Sequence, residues 1–332
     1  MSLAFQGSAS GQTAPPPLFL TAAPLELRLE TDLRGLLRDR GEKRVEHRAT
    51  LWFSSGADTG SVQVDLRTRG IFRLKNCTFP PIRLDLPAHK LGKTPFAGQD
   101  KLKLVTHCHS DRLYERNLLR EYALYRVFNV LSDTSFRVRL AHVAYVDTAR
   151  HDTVTRYGFL IESDTALAQR LAAERVTAAK VHDLVTDAPY MTLVAVFQYL
   201  IGNTDWSVWG LHNIAIFQET AQPRSLLAVP YDFDFSGAIN APYASVPPQL
   251  PIRSVRERLY RGYCQPDSLL AKVLSRFRTT KDSVYAAVRA VPGLPEGDVR
   301  ALLDYFDDFY KTIDNQGAVN REFVRRCRKA EQ

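Results

Sequence analysis

From Leu25 the chain alternates, with Leu25, Leu27 and Leu29 on one side and polar residues between them, the period of a half-buried strand. Further strand-like runs cover 49–54, 62–69, 82–86 and 101–106, punctuated by Gly, Pro and Asn as in antiparallel β structure. The period then lengthens. Within 115–131, Leu118, Tyr122, Tyr125 and Phe128 recur at helical spacing, with Glu121 at the edge of the stripe. Two more strands, 140–147 and 156–162, precede a helix over 164–173 headed by Ser163 or Asp164. Another over 187–201 has Pro189 near its start and Gly202 just past its end. Short strands at 214–217 and 226–230 follow, and from Ser254 onward the pattern reads as helices broken by Gly and Pro. This order predicts an α+β protein. It divides into a flexible leader over 1–24, a β-rich lobe over 25–162 that includes helix 115–131, and a helix-rich lobe over 163–332 with a small β insert. The cleft between the lobes is then the natural place for a ligand.

Composition narrows the class. The 332 residues, 45% hydrophobic and 24% charged, match an ordinary globular chain and exclude collagen-like, coiled-coil or wholly disordered architectures. The longest apolar stretch, 191–201, is interrupted by Gln198 and falls short of the roughly 20 residues that cross a bilayer, so no membrane span is expected. A net charge of +8 suits an anionic partner. The basic cluster Arg325, Arg326, Arg328 and Lys329, however, closes a predicted C-terminal helix, where cations suit the dipole, and no nucleic-acid reader motif accompanies it; no nucleic-acid partner is expected.

Four cysteines permit two bridges without requiring any, and none has CxxC spacing. Cys77 and Cys108 fall at neighbouring strand ends, where an oxidising compartment would allow them to join. His107-Cys108-His109 offers soft ligands, but no second Cys/His pair completes a tetrahedral zinc site. The first 24 residues lack a charged segment followed by an apolar one, so they form no intact secretory signal. Met1-Ser2-Leu3 fits a leader standing in place of one. The expectation is an exported or periplasmic protein, with the cytoplasm as the alternative.

The densest chemistry lies in Gly202-Asn203-Thr204-Asp205-Trp206-Ser207, then His212-Asn213, then Tyr231-Asp232-Phe233-Asp234-Phe235-Ser236-Gly237. Asp205 follows a helix, Asn213 opens a strand and Asp232 closes one. The three converge if strands 214–217 and 226–230 pair as a hairpin. Hard oxygens from an amide and carboxylates are what Mg²⁺ or Mn²⁺ takes when it holds nucleotide phosphates. Phosphoryl transfer also needs a carboxylate to orient the attacking hydroxyl. Asp205 suits that base role, and Asn213 and Asp232 suit the metal, with Asp234 a further candidate ligand. The bland alternative is that these residues cap turns.

These segments resemble the spore coat protein H (CotH) kinase family, an atypical branch of the protein-kinase-like fold, from about Val62 to Gly237. The resemblance rests on the Asp205 to Asn213 loop, on Tyr231-Asp232-Phe233-Asp234, and on Arg67-Thr68-Arg69-Gly70 with Pro80-Pro81-Ile82-Arg83-Leu84. It implies a bilobal kinase-like fold, ATP with Mg²⁺ or Mn²⁺, transfer of the γ-phosphate to a hydroxyl, most readily Ser or Thr of a protein, and a protein acceptor as partner. It implies Asp205 as catalytic aspartate, Asn213 and Asp232 as metal ligands, and Glu121 as the helix glutamate paired with a cation over the phosphates. Lys103 is the first choice for that cation and Arg83 the second. Arg69 and Gly70 would stand where a glycine-rich loop stands elsewhere, and the run from Tyr157 to Glu162 would cross between lobes with its backbone facing an adenine. There is no GxGxxG and no HRD, and the spacing from Asp205 to Asn213 is longer than in ordinary protein kinases, which excludes that class. Two other readings compete: an inactive kinase-like binding protein, and a glycosyltransferase using Asp232-Phe233-Asp234 as a DxD triplet.

Overall fold

The computed structural model describes residues 16–56, 58–178, 180–221 and 225–329. Seven strands close into a barrel: β1 (Leu25–Thr31), β2 (His47–Ser55), β3 (Asp58–Thr68), β4 (Ile82–Asp85), β5 (Lys101–Val105), β6 (Val138–Asp147) and β7 (Thr153–Ile161). Their order is β1-β2-β3-β4-β5-β7-β6, antiparallel throughout except where β1 lies parallel to β6 and seals the barrel. Alternation along the strands sends Leu27, Leu29, Leu51, Leu84, Leu104, Val143 and Leu160 inward to an apolar core. The opposite face of β6 and β7 is also covered: Val138, Leu140, Phe159 and Ile161 join a second core with the helix α3 (Arg112–Leu131). Burial on both faces is why Phe159, Leu160 and Ile161 run apolar without alternation, whereas the first residues of β7 are exposed.

Residues 16–24 correct the expectation of a leader extending to 24; residues 1–15 lie outside the described residues. Leu18 and Phe19 are buried in the barrel core, and Arg139 donates to the carbonyls of Leu18 (3.2 Å) and Ala23 (3.1 Å). Two short helices branch from the barrel, α1 (Leu33–Arg38) after β1 and α2 (Phe72–Asn76) after β3.

The second core holds α5 (Ala188–Ile201), α6 (Asp267–Thr279), α7 (Lys281–Arg289) and α8 (Glu296–Asp314). Asp187 caps α5 by accepting from Tyr190 N–H at 2.8 Å, and Gly202 ends it in the left-handed region at φ 64°. Ahead of α5 lies α4 (Asp164–Arg170), and β8 (Ala173–Arg175), β9 (Ile214–Glu219) and β10 (Leu226–Pro230) form an antiparallel three-stranded sheet with Ile214 opposite Pro230. The helical reading of 254–266 is replaced by irregular chain up to α6. Arginines there act as clamps on backbone: Arg258 donates to Leu200 O and Tyr305 O, and Arg261 to Thr204 O and Trp206 O. All four cysteines are bridged, Cys77 to Cys108 and Cys264 to Cys327. The Cys108 sulfur of the His107–His109 run is therefore not a free ligand. No helix among the described residues is long and apolar enough to cross a membrane.

Candidate functional site

A cavity of about 390 Å³ lies between the barrel wall and the β9–β10 hairpin. The barrel side contributes Lys103 and Val105 of β5, Ile161 of β7, and Arg69 and Gly70 from the turn after β3; Asp205, Leu211, His212, Asn213, Tyr231 and Asp232 face them. The hairpin explains the convergence read from the sequence. Asn213 and Asp232 flank the last paired residues, Tyr231 N–H donates to Asn213 O at 3.0 Å, and both Asn213 (φ 53°) and Asp232 (φ 61°) adopt left-handed backbone. Asn and Asp are the side-chain-bearing residues that tolerate that region best.

Asp205 is held from both sides. Its Oδ1 meets His212 Nε2 at 2.9 Å, its Oδ2 accepts from Asn213 Nδ2 at 3.0 Å, and Asn213 Nδ2 also donates to Asp205 O at 2.8 Å. The hydrogen bond to Asp205 raises the His212 imidazole above its ordinary value. Asp205 N–H donates to Asn203 Oδ1, and Asn203 Nδ2 donates to Gln198 Oε1, so the loop is anchored on α5. Asn203 thus takes the structural role that a turn-capping reading gives it.

The cation gripping Glu121 is neither Lys103 nor Arg83. It is Arg73, on α2, whose Nη2 donates to Glu121 Oε2 at 2.6 Å and whose Nε donates to Asp234 Oδ2 at 2.9 Å. Sequence reasoning looked for this cation on a strand, whereas it comes from a five-residue helix after Gly70. The one local signal was a second arginine four residues past Arg69. Lys103 lines the cavity but pairs with Asp164 at 3.0 Å, and burial lowers its amine. Arg83 does not line the cavity; it sits one strand further away and is neutralised by Glu46 and Asp85. Glu162 does not line it either. Its carboxylate is fully buried against Arg170 (2.9 Å), and its N–H is committed to Arg137 O (2.9 Å), so Ile161 is the residue of that strand which faces the cavity.

Three carboxylates share the one guanidinium of Arg73. Burial, with Asp234 nearby and Arg73 opposing, pushes Glu121 up to about 7. Burial and then Asp234 push Asp232 well above the usual carboxylate range. Among the described residues Arg73, at 3.9 Å, is the only cation within 4 Å of Asp232. Asp234 is more fully engaged, its Oδ2 also accepting from Tyr243 Oη at 3.0 Å, which makes it a clamp on Arg73. Tyr125, one turn past Glu121 on α3, accepts the Asp232 N–H at 2.8 Å, so a single helix sets both acids.

Arg69 has the opposite character. Its guanidinium lines the cavity yet makes no hydrogen bond or ion pair among the described residues, and burial lowers its pKa. Gly70, at φ 94°, turns the chain beside it into α2.

Among the described residues no group of three or more His, Cys, Asp or Glu is placed to hold a metal ion. The available hard donors are the under-neutralised carboxylate of Asp232 and Asn213 Oδ1, which accepts no hydrogen bond among the described residues. One carboxylate and one amide oxygen fit a cation that takes its remaining ligands from phosphate and water, as Mg²⁺ does.

No protein-family model matches this chain, and no curated protein matches it.

Proposed function

We propose that the protein is a CotH-like atypical kinase, a phosphotransferase that uses ATP with Mg²⁺ or Mn²⁺ to phosphorylate a hydroxyl, with Ser or Thr of a protein as acceptor. In this reading the barrel with α3 is the N-lobe, the helical half with its hairpin is the C-lobe, and the cavity is the cleft between them. The observation that carries it is one cavity with a guanidinium, Arg69, that is unpaired among the described residues on one wall, and Asp205, Asn213 and Asp232 on the other. An unpaired cation in a partly dry cavity favours an anion, and about 390 Å³ is within the range of small-ligand sites.

The residues divide the work as follows. Arg69 and Lys103 neutralise phosphate oxygens. Val105, Ile161 and Phe136 offer apolar walls to a base. Asp232 and Asn213 would hold the divalent ion, which when bound would offset the charge of the phosphates. Asp205 orients the acceptor hydroxyl and accepts its proton as that oxygen bonds to the γ-phosphorus and the β–γ bridging oxygen departs with ADP. The bonds from His212 and Asn213 fix the Asp205 carboxylate for this task. Arg73, bonded to Glu121 and Asp234, keeps α2 and the preceding Arg69-Gly70 turn in place. The commitment of Asp234 to Arg73 and Tyr243 favours this reading over a DxD sugar transferase. Two disulfides and no free cysteine suit an exported or periplasmic location.

Incubation with γ-labelled ATP and Mg²⁺ or Mn²⁺, alone and with casein-like acceptors, is expected to label protein. Asp205→Asn and Asp232→Asn should each cut the rate by roughly 100-fold or more. Label retained in both variants overturns the residue roles. A wild-type protein that binds ATP without transferring phosphate is instead the inactive relative. Incorporation from α-labelled ATP would redefine the reaction as AMP transfer.

A further inference from the structure

A second concavity, of about 510 Å³, opens on the outside of the barrel between α1 and α2. Four cations line it, Arg34 and Arg38 from α1, Arg40 just beyond, and Lys75 from α2, against one carboxylate, Asp147. Asp147 is buried and accepts from Ala149 N–H at 3.0 Å. Arg40 spends its donors on the carbonyls of Leu37, Leu74, Cys77 and Thr78. The side chains of Arg34, Arg38 and Lys75 are exposed and make no hydrogen bond or ion pair among the described residues. Like charges gathered this way repel, and an anion relieves them. Arg34 and Arg38 stand one helical turn apart, about 5–6 Å between Cβ atoms. Two guanidinium forks at that spacing, faced by a lysine, match a single tetrahedral dianion.

We propose that this groove binds a phosphate dianion, free or as a monoester, and that α2 transmits its occupancy to Arg73. Only five residues long, α2 presents Lys75 to the groove and Arg73 to Glu121 and Asp234. Its C-terminal carbonyls are held by Arg40, and Cys77, which follows it, is tied to Cys108. With Arg73 and Lys75 two residues apart on one short helix, a displacement of α2 would carry both side chains together. An anion drawing Lys75 toward α1 therefore shifts the root of Arg73. The binding stands apart from the proposed phosphotransfer. Its consequence, that a phosphorylated side chain or free phosphate tunes the same ATP site, rests on that reading.

The full chain is titrated at constant ionic strength with a phosphoserine peptide, its unphosphorylated counterpart and inorganic phosphate, following calorimetric heat and the Arg73 Nε–H resonance. The phosphopeptide, or phosphate, should bind and shift that resonance. Arg38→Glu and Lys75→Glu, both at exposed positions, should each weaken binding about tenfold or more, while Arg69→Ala leaves it intact. Phosphopeptide binding tighter than phosphate assigns a phosphorylated chain as the source, and equal affinities assign free phosphate. Absence of binding, insensitivity to both groove variants, or loss only in Arg69→Ala overturns the site. An unmoved Arg73 resonance at saturation overturns the coupling. Because neither readout involves turnover, a protein that transfers no phosphate can still pass this test.

Discussion

Replacing Arg73 by Met removes the only cation within 4 Å of Asp232 among the described residues, and with it the partner of Glu121 at 2.6 Å and of Asp234 at 2.9 Å. Methionine keeps much of the side-chain volume, so the change is chiefly electrostatic. Breaking a buried pair from one side costs about 3–5 kcal/mol, because the remaining charge is left in a poorly polarisable interior. The carboxylates can reduce that cost by binding protons, so the loss depends on pH. In the wild type Glu121 is already raised from 4.5 to about 7. A raised carboxyl makes the folded state the better proton binder, so its stability contribution falls as pH rises from about 4.5 through about 7 and is flat beyond. At about 1.4 kcal/mol per pH unit the fall is about 3 kcal/mol. Without the opposing charge of Arg73, Glu121 and Asp232 rise further and the window widens upward. Denaturant unfolding should show a modest deficit for Arg73→Met near pH 5 and the full 3–5 kcal/mol near pH 8. Adding Glu121→Gln should recover part of it. A deficit below about 1 kcal/mol at pH 8, or equal deficits at both pH values, would refute the electrostatic account.

Arg69→Ala should do the reverse. Since Arg69 loses no partner among the described residues, the melting temperature of the free protein should stay level or rise, while ATP affinity falls about tenfold or more, read by calorimetry; a large drop in melting temperature would show an unrecognised structural role. Gly202→Ala should destabilise by about 1–3 kcal/mol. The residue is left-handed at φ 64°, and an added Cβ would fall 2.0 Å from Tyr305 Oη. An unchanged unfolding midpoint would contradict that geometry.

Much of the fold was legible because its signals are local. Strand alternation, Pro189 near the start of α5 and Gly202 at its stop all lie within a few residues of what they control. The hairpin bringing Asn213 to Asp232 was readable for the same reason, as was Glu121 on its helical stripe. The misreadings are tertiary. Arg73 meets Glu121 and Asp234 across 48 and 161 residues, and neither separation leaves a pattern in sequence. The parallel seam of β1 on β6 is equally silent, since nothing in either strand names its neighbour. Arg83 and Glu162 carry suitable chemistry, but Glu46, Asp85 and Arg170 neutralise them away from the cavity. Residues 16–24 looked like leader by composition, yet Leu18 and Phe19 bury there.

The site also runs against what stability alone would select. Glu121, Asp232 and Asp234 crowd one guanidinium, Arg69 lines the same cavity unpaired among the described residues, and two residues flanking the hairpin strands adopt left-handed backbone. Like charges held close together and strained backbone each raise the energy of the folded chain. Apolar packing, which fills both cores, would have been the cheaper solution here too. The excess of acid on the hairpin wall calls for a cation, and the free guanidinium on the barrel wall calls for an anion. In the proposed reading a divalent ion carried by a polyphosphate would supply both at once, Asp232 answering the cation and Arg69 the anion. Neither half of that complement settles the cavity alone, since a bare cation leaves Arg69 unpaired and a bare anion meets the carboxylates. This two-sided mismatch is the physical ground for reading the cavity as a metal–nucleotide site.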